Sequence, residues 1–217
     1  MASGYWLVAN VANNITSAQN TPELLITWQA QGYVPHGYQG KILPVKKSLV
    51  EAAAELIQNG KTADLSRREL RWFLNGRLIQ GGLGLKTISF MVPEDAASLS
   101  LRLVIPNYGG RVLEKTVALP LAQPEVVIDA PYAAAIASGT NIFRALAYFF
   151  NISGLDQLTF EWVANGVATA GEDSNPAELE LNISGGRPGD EVNLSVNALN
   201  KFDPLETAGA SVNLKIR

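Results

Sequence analysis

Apolar and polar residues alternate with a period of two in the clearest segments of this chain. Leu99, Leu101, Leu103 and Ile105 are separated by Ser100, Arg102 and Val104, and Val192, Leu194 and Val196 by Asn193, Ser195 and Asn197. Glu178, Glu180 and Asn182 alternate with Leu179, Leu181 and Ile183 in the same way. Successive side chains of an extended strand point to opposite faces, so this period predicts strands with one face on a core. Punctuation between the runs comes from Asn59-Gly60, Asn75-Gly76, Gly81-Gly82, Gly109-Gly110, Asn165-Gly166, Gly185-Gly186 and Pro188-Gly189. Asn-Gly tolerates the positive backbone angles of two-residue hairpin turns, and Gly-Gly suits loops or bulges.

The chain repeats itself. Pro22-Glu23-Leu24-Leu25-Ile26 recurs as Pro124-Glu125-Val126-Val127-Ile128, 102 residues later. The segment from Leu49 to Ile57 matches Ile142 to Phe150 at an offset of 93, and Leu70 to Gly76 matches Phe160 to Gly166 at 90. Leu99 to Asn107 then matches Val192 to Asn200, and Thr116 to Leu119 matches Ser211 to Leu214. Collinear matches with slowly drifting offsets imply two copies of one domain. The expected division is an N-terminal extension at residues 1–21, a first domain at 22–122 and a second at 123–217. About seven short strands per copy predict an all-β chain of two tandem antiparallel sandwiches. Ser48-Leu49-Val50-Glu51 carries a competing signal, a helix capping box followed by good helix formers. The matching segment from Ile142 is rich in strand formers, so both are expected to be strands. Pro120 and Pro124 stiffen a short junction, which predicts an elongated molecule with limited bending.

Composition narrows the chemistry. The chain has 217 residues, 47% of them hydrophobic and 17% charged, enough to bury a substantial core,. Its net charge is −3 with no basic block, which argues against a nucleic-acid partner bound through phosphates,. There is no cysteine and a single histidine, His36. Thiolate catalysis, disulfides, iron–sulfur clusters and zinc sites of the Cys/His type are therefore excluded. No apolar run approaches the ~18 residues of a membrane span. The apolar segment from Gly4 to Ala12 has no cationic stretch ahead of it and is not a complete signal peptide. The start at Met-Ala-Ser and the stop at Arg217 read as cuts from a longer exported chain.

Trp72 and Trp162 each precede a short apolar stretch and then an Asn-Gly turn, with strands containing aromatic residues ahead of them. On these residues the chain resembles tandem immunoglobulin-like or PKD-like β-sandwich domains of bacterial surface or secreted proteins. The resemblance implies that Trp72 and Trp162 sit on the third strand of each copy and pack between the sheets as structural core. It departs from antibody-type domains in having no inter-sheet disulfide, and from PKD repeats in having Asn-Gly where they have Asp-Gly. The whole chain also resembles uncharacterised exported proteins of small-genome bacteria. That resemblance implies an extracellular or cell-surface location, with anchoring in a longer chain, and supplies no activity.

No enzyme is expected. A Ser-His-acid triad would need His36, which lies in the turn-rich stretch from Tyr33 to Gly40, and no G-x-S-x-G elbow occurs,. Paired carboxylates have no candidate among scattered acidic residues. Calcium is weighed at Glu125 and Asp129 near the junction, at Asp203, and at the doublets Glu172-Asp173 and Asp190-Glu191. None has the spacing or the roughly six oxygens a hard cation needs, so neither metal nor cofactor is expected. Gly81-Gly82-Leu83-Gly84 lacks the helix and lysine of a phosphate loop. The Asn-x-Ser/Thr triplets at Asn14, Asn151, Asn182 and Asn193 are assigned no glycans. Tyr33 and Tyr38, with Trp28 or Trp6, offer flat rings for stacking on a sugar; alternatively both tyrosines fold back over the end of the sandwich. Tyr5-Trp6-Leu7-Val8 makes residues 1–20 strand-prone, so this arm is expected either to dock on the first domain or to self-associate by strand addition. Three readings stay open. The first is a non-enzymatic extracellular module, a spacer, adhesion or assembly element with an unknown protein or glycan partner. The others are a carbohydrate-binding module and a chaperone-like partner offering sheet edges.

Overall fold

A computed structural model describes residues 21–130, 135–172, 175–184 and 186–217. The expectations for the arm of residues 1–20, with Trp6 and Asn14, and for Tyr132, Asp173 and Gly185 lie outside the described residues. The first half contains β1 (Glu23–Ala30), β2 (Leu49–Gln58), β3 (Lys61–Thr62), β4 (Glu69–Leu74), β5 (Arg77–Leu83), β6 (Thr87–Met91), β7 (Leu99–Tyr108) and β8 (Arg111–Leu119). One sheet centres on β2, paired with β1 and β6 and extended by β3; the other runs β5-β4-β7-β8. The second half contains β9 (Glu125–Asp129), β10 (Ala135–Ile136), β11 (Gly139–Tyr148), β12 (Leu158–Ala164), β13 (Val167–Thr169), β14 (Glu178–Ile183), β15 (Glu191–Asn200) and β16 (Thr207–Ile216). Its sheets run β14-β11-β9 and β10-β16-β15-β12-β13. All pairings are antiparallel except β10 with β16. Among the described residues, no helix is long and apolar enough to cross a membrane.

The halves superpose in logic as well as in order. Val50, Ala52 and Ala54 of β2 are buried, and so are Phe143, Ala145 and Ala147 of β11, at the offset of 93. Leu99, Leu101, Leu103 and Ile105 of β7 match buried Val192, Leu194, Val196 and Ala198 of β15. Each half closes around its own core cluster. Trp72 lies in the first and Trp162 in the second, 0% and 1% exposed. A buried indole needs a partner for its N–H. Trp72 Nε1 donates to the Leu85 carbonyl at 2.9 Å, and Trp162 Nε1 to that of Pro176 at 3.1 Å.

Local chemistry explains why residues 49–58 are a strand despite the capping-box motif. The buried positions of β2 fall at every second residue, which suits a sheet face and not a helix face,. Ser48 does cap, but it caps a turn. Its Oγ donates to the Val45 carbonyl at 2.8 Å and accepts from the Val45 N–H at 3.1 Å, beside Lys47 at φ +63°. The Asn-Gly turns are equally local. Asn75 and Asn165 adopt φ of 49° and 50°, and each side-chain oxygen accepts a backbone N–H, of Ser100 and Asn193 respectively, at 2.8 Å.

Candidate functional site at the junction

Strand registers define which loops meet. Ala30 pairs with Val50, Leu49 with Met91 and Leu99 with Leu119, so one end of the first sandwich carries residues 31–48, 92–98 and the exit of β8. In the second, Glu125 pairs with Tyr148, Leu158 with Asn200 and Leu199 with Thr207. One end of that sandwich therefore carries the entry of β9 and residues 149–157 and 201–206. These two ends face each other across residues 120–124, and the Ala122 N–H donates to the Pro44 carbonyl at 2.8 Å.

The long β1–β2 connection crosses to the second sandwich. The Tyr33 N–H donates to the Phe150 carbonyl and the Phe149 N–H to the Tyr33 carbonyl, each at 2.7 Å, a reciprocal antiparallel bridge. Phe150 is fully buried in the second core, and the partly buried Tyr33 packs against that same core. Burial raises the Tyr33 hydroxyl above its ordinary pKa,. Tyr38 meets Tyr148 and Phe149 edge-on, with centroids 6.0 and 5.9 Å apart. The Tyr38 ring lies across Gly40, where a Cβ would overlap it.

Lys47 is the electrostatic centre of the junction. Its Nζ lies 2.9 Å from Glu94 Oε1 in the first sandwich and 2.9 Å from Asp203 Oδ2 in the second. Hydrogen bonds to Asp203 and then Glu94 raise the Lys47 pKa, and the hydrogen bond from Lys47 lowers that of Asp203. Asn151 adds a bond from Nδ2 to the Lys47 carbonyl at 3.2 Å, while its N–H donates to Glu206 Oε1 at 2.8 Å. Glu206 Oε2 in turn accepts from buried Asn200 Nδ2. A crevice of about 110 Å³ lies beside this network, between Val45, Glu94, Pro124 and Leu205. The loop so held presents Phe202 and Leu205 to solvent, 78% and 81% exposed.

The candidate binding residues are divided by the structure. Tyr33 and Tyr38 go to the junction. Trp28 sits on β1, packs against the first core and carries the Lys41 ammonium 3.3 Å from its ring centroid. His36 is exposed in the turn between them. Glu125 and Asp129 stand at opposite ends of β9, opposite Tyr148 and Arg144, and are not brought together. Asp203 pairs with the Lys47 ammonium, and the described residues contain no cluster of three metal-ligating side chains. Sequence reasoning missed Lys47, Glu94 and Asn151. No local signal marks them, because Lys47 and Asp203 are 156 positions apart.

The strands common to both halves, β1-β2-β6 against β5-β4-β7-β8 and β9-β11-β14 against β13-β12-β15-β16, keep one order, with β3 added in the first half and β10 in the second. With a buried tryptophan in each core they define tandem immunoglobulin-like β-sandwich domains,. No protein-family model matches the chain, and no curated protein does. Among solved structures, it is similar to the fibronectin(III)-like modules of Clostridium thermocellum CbhA, at 15% identity and a TM-score of 0.33, covering 89% of this chain and 94% of that one. It is also similar to the mouse nectin-like molecule 4 ectodomain, at 14% identity and a TM-score of 0.35, covering 91% and 64%. Similarity to the I9–I11 tandem of titin has 11% identity and a TM-score of 0.37, covering 90% and 66%. The chain thus spans somewhat under two thirds of the length of the nectin-like ectodomain and about two thirds of the titin tandem. Strand order and the two cores, rather than these low scores, define the fold.

Proposed function

We propose that the chain is a non-enzymatic spacer or adhesion module whose two units, residues 22–122 and 123–217, are held at a set mutual orientation. The observation that carries this reading is the reciprocal Tyr33–Phe149/Phe150 bridge, in which a loop of one sandwich completes the packing of the other. A backbone bridge over a buried aromatic resists bending far better than a surface ion pair does, since exposed pairs contribute little on their own. Lys47 adds direction: its two carboxylate partners belong to different sandwiches. Exposed Phe202 and Leu205 on a hydrogen-bonded loop support a protein-interaction role,.

An extracellular or cell-surface location is proposed on fold class, because many cell-surface domains share this architecture; a bacterial source rests on the sequence resemblance alone. The carbohydrate reading draws less support, since stacking needs an open ring face. The Trp28 ring is packed and covered by Lys41, and the Tyr38 ring is engaged edge-on. Small-angle scattering tests the proposal. A spacer keeps the same scattering profile in low and high salt, and Tyr33→Gly broadens its distance distribution without unfolding either sandwich. A parent profile that already demands many interdomain orientations contradicts it.

A further inference from the structure

The three Asn-Gly turns share one backbone conformation and differ in how the asparagine is held. Asn59, Asn75 and Asn165 have φ of 54°, 49° and 50°, followed by glycines at 71°, 81° and 79°. Asn75 is tied at both ends of its amide: Nδ2 donates to the Ser98 carbonyl at 2.9 Å, and Oδ1 accepts from the Ser100 N–H at 2.8 Å. Asn165 is tied at one end, through Oδ1 and the Asn193 N–H at 2.8 Å. The exposed Asn59 side chain has no hydrogen bond among the described residues. The supporting strands differ in the same direction. Asn75 is followed by the seven-residue β5 and Asn165 by the three-residue β13, whereas Asn59 is followed by β3, two residues long.

An asparagine before glycine can react with its own backbone. The glycine nitrogen attacks Asn Cγ, an N–Cγ bond forms, and the Cγ–Nδ2 bond breaks with loss of ammonia, leaving a five-membered imide. Water then adds to one of the two imide carbonyls and opens the ring, giving aspartate or isoaspartate; no oxidant or reductant is needed. Glycine permits the approach because it has no Cβ. The Asn amide must rotate freely to present Cγ, and a tethered amide does so only when its hydrogen bonds open locally. We infer that Asn59 is a spontaneous self-modification site of the folded protein, with Asn165 and then Asn75 progressively protected.

The product would carry an extra negative charge and, as isoaspartate, an extra backbone carbon in the β2–β3 turn. That turn lies at the end of β2 opposite Leu49, away from the junction, so the modification would leave the bridge at Tyr33 intact. The test is incubation of the full chain at mildly alkaline pH, read by peptide mass spectrometry and isoaspartate-specific methyl labelling. A parallel sample in denaturant is the control, since glycine follows all three asparagines. In the native protein each side-chain tether should slow reaction about three- to tenfold, the weight of one hydrogen bond. The expected order of rates is Asn59, Asn165, Asn75, collapsing towards equality in denaturant. Native rates at Asn59 no faster than at Asn75 would overturn the inference. So would the same order persisting in denaturant, because flanking sequence rather than the fold would then be the cause.

Discussion

Trp72 and Trp162 show what a single side chain does in each sandwich. Each fills the space between sheets and spends its one N–H on a loop carbonyl, so truncation leaves both a cavity and an orphaned acceptor. Replacing either with alanine should cost about 3–5 kcal/mol in chemical denaturation. Lys47 instead pairs with a carboxylate from each sandwich. The Asp203 carboxyl has a folded pKa below its ordinary 3.8, so its contribution is complete above that value and is lost as pH falls through the depressed one,. Lys47 has a folded pKa above its ordinary 10.5, so its contribution is complete below 10.5 and is lost as pH rises through the raised value,. The contact should therefore be insensitive to pH across the neutral range and loosen only at the acid and alkaline extremes. Amide chemical shifts of Lys47 and Asp203, followed by titration, check this; a transition near pH 7 would contradict it.

Strands and turns were the most legible elements. Alternation in β7, β14 and β15, and the Asn-Gly turns, follow from local sterics that act within a few residues. β2 was legible only through its repeat partner, because Ser48 and Glu51 match a capping box while burial at Val50, Ala52, Ala54 and Leu56 obeys a sheet. Replacing Asn75 with alanine removes two side-chain bonds and places a Cβ-bearing residue without αL preference at φ 49°. The expected loss is about 2–4 kcal/mol by thermal or denaturant unfolding. The equivalent change at Asn165 forfeits one bond and should cost less. Equal losses would mean that backbone angle, not tethering, dominates these turns.

The junction could not be foreseen from alternation, which says which face of a strand is buried and nothing about which loop ends meet. Tyr33 was noticed as an aromatic in an unusual loop, and its role depends on Phe149 and Phe150, more than a hundred residues away. Because Tyr33 packs on the second core, the second sandwich should be less stable alone than within the full chain. Residues 123–217 should melt lower than the full chain, and Tyr33→Gly in the full chain should reproduce part of that loss. The proposed set orientation of the two sandwiches is measured directly by residual dipolar couplings. A single alignment tensor should fit the amides of both sandwiches and reproduce the orientation set by the Tyr33 bridge. Two tensors of different magnitude would show independently moving domains and contradict it.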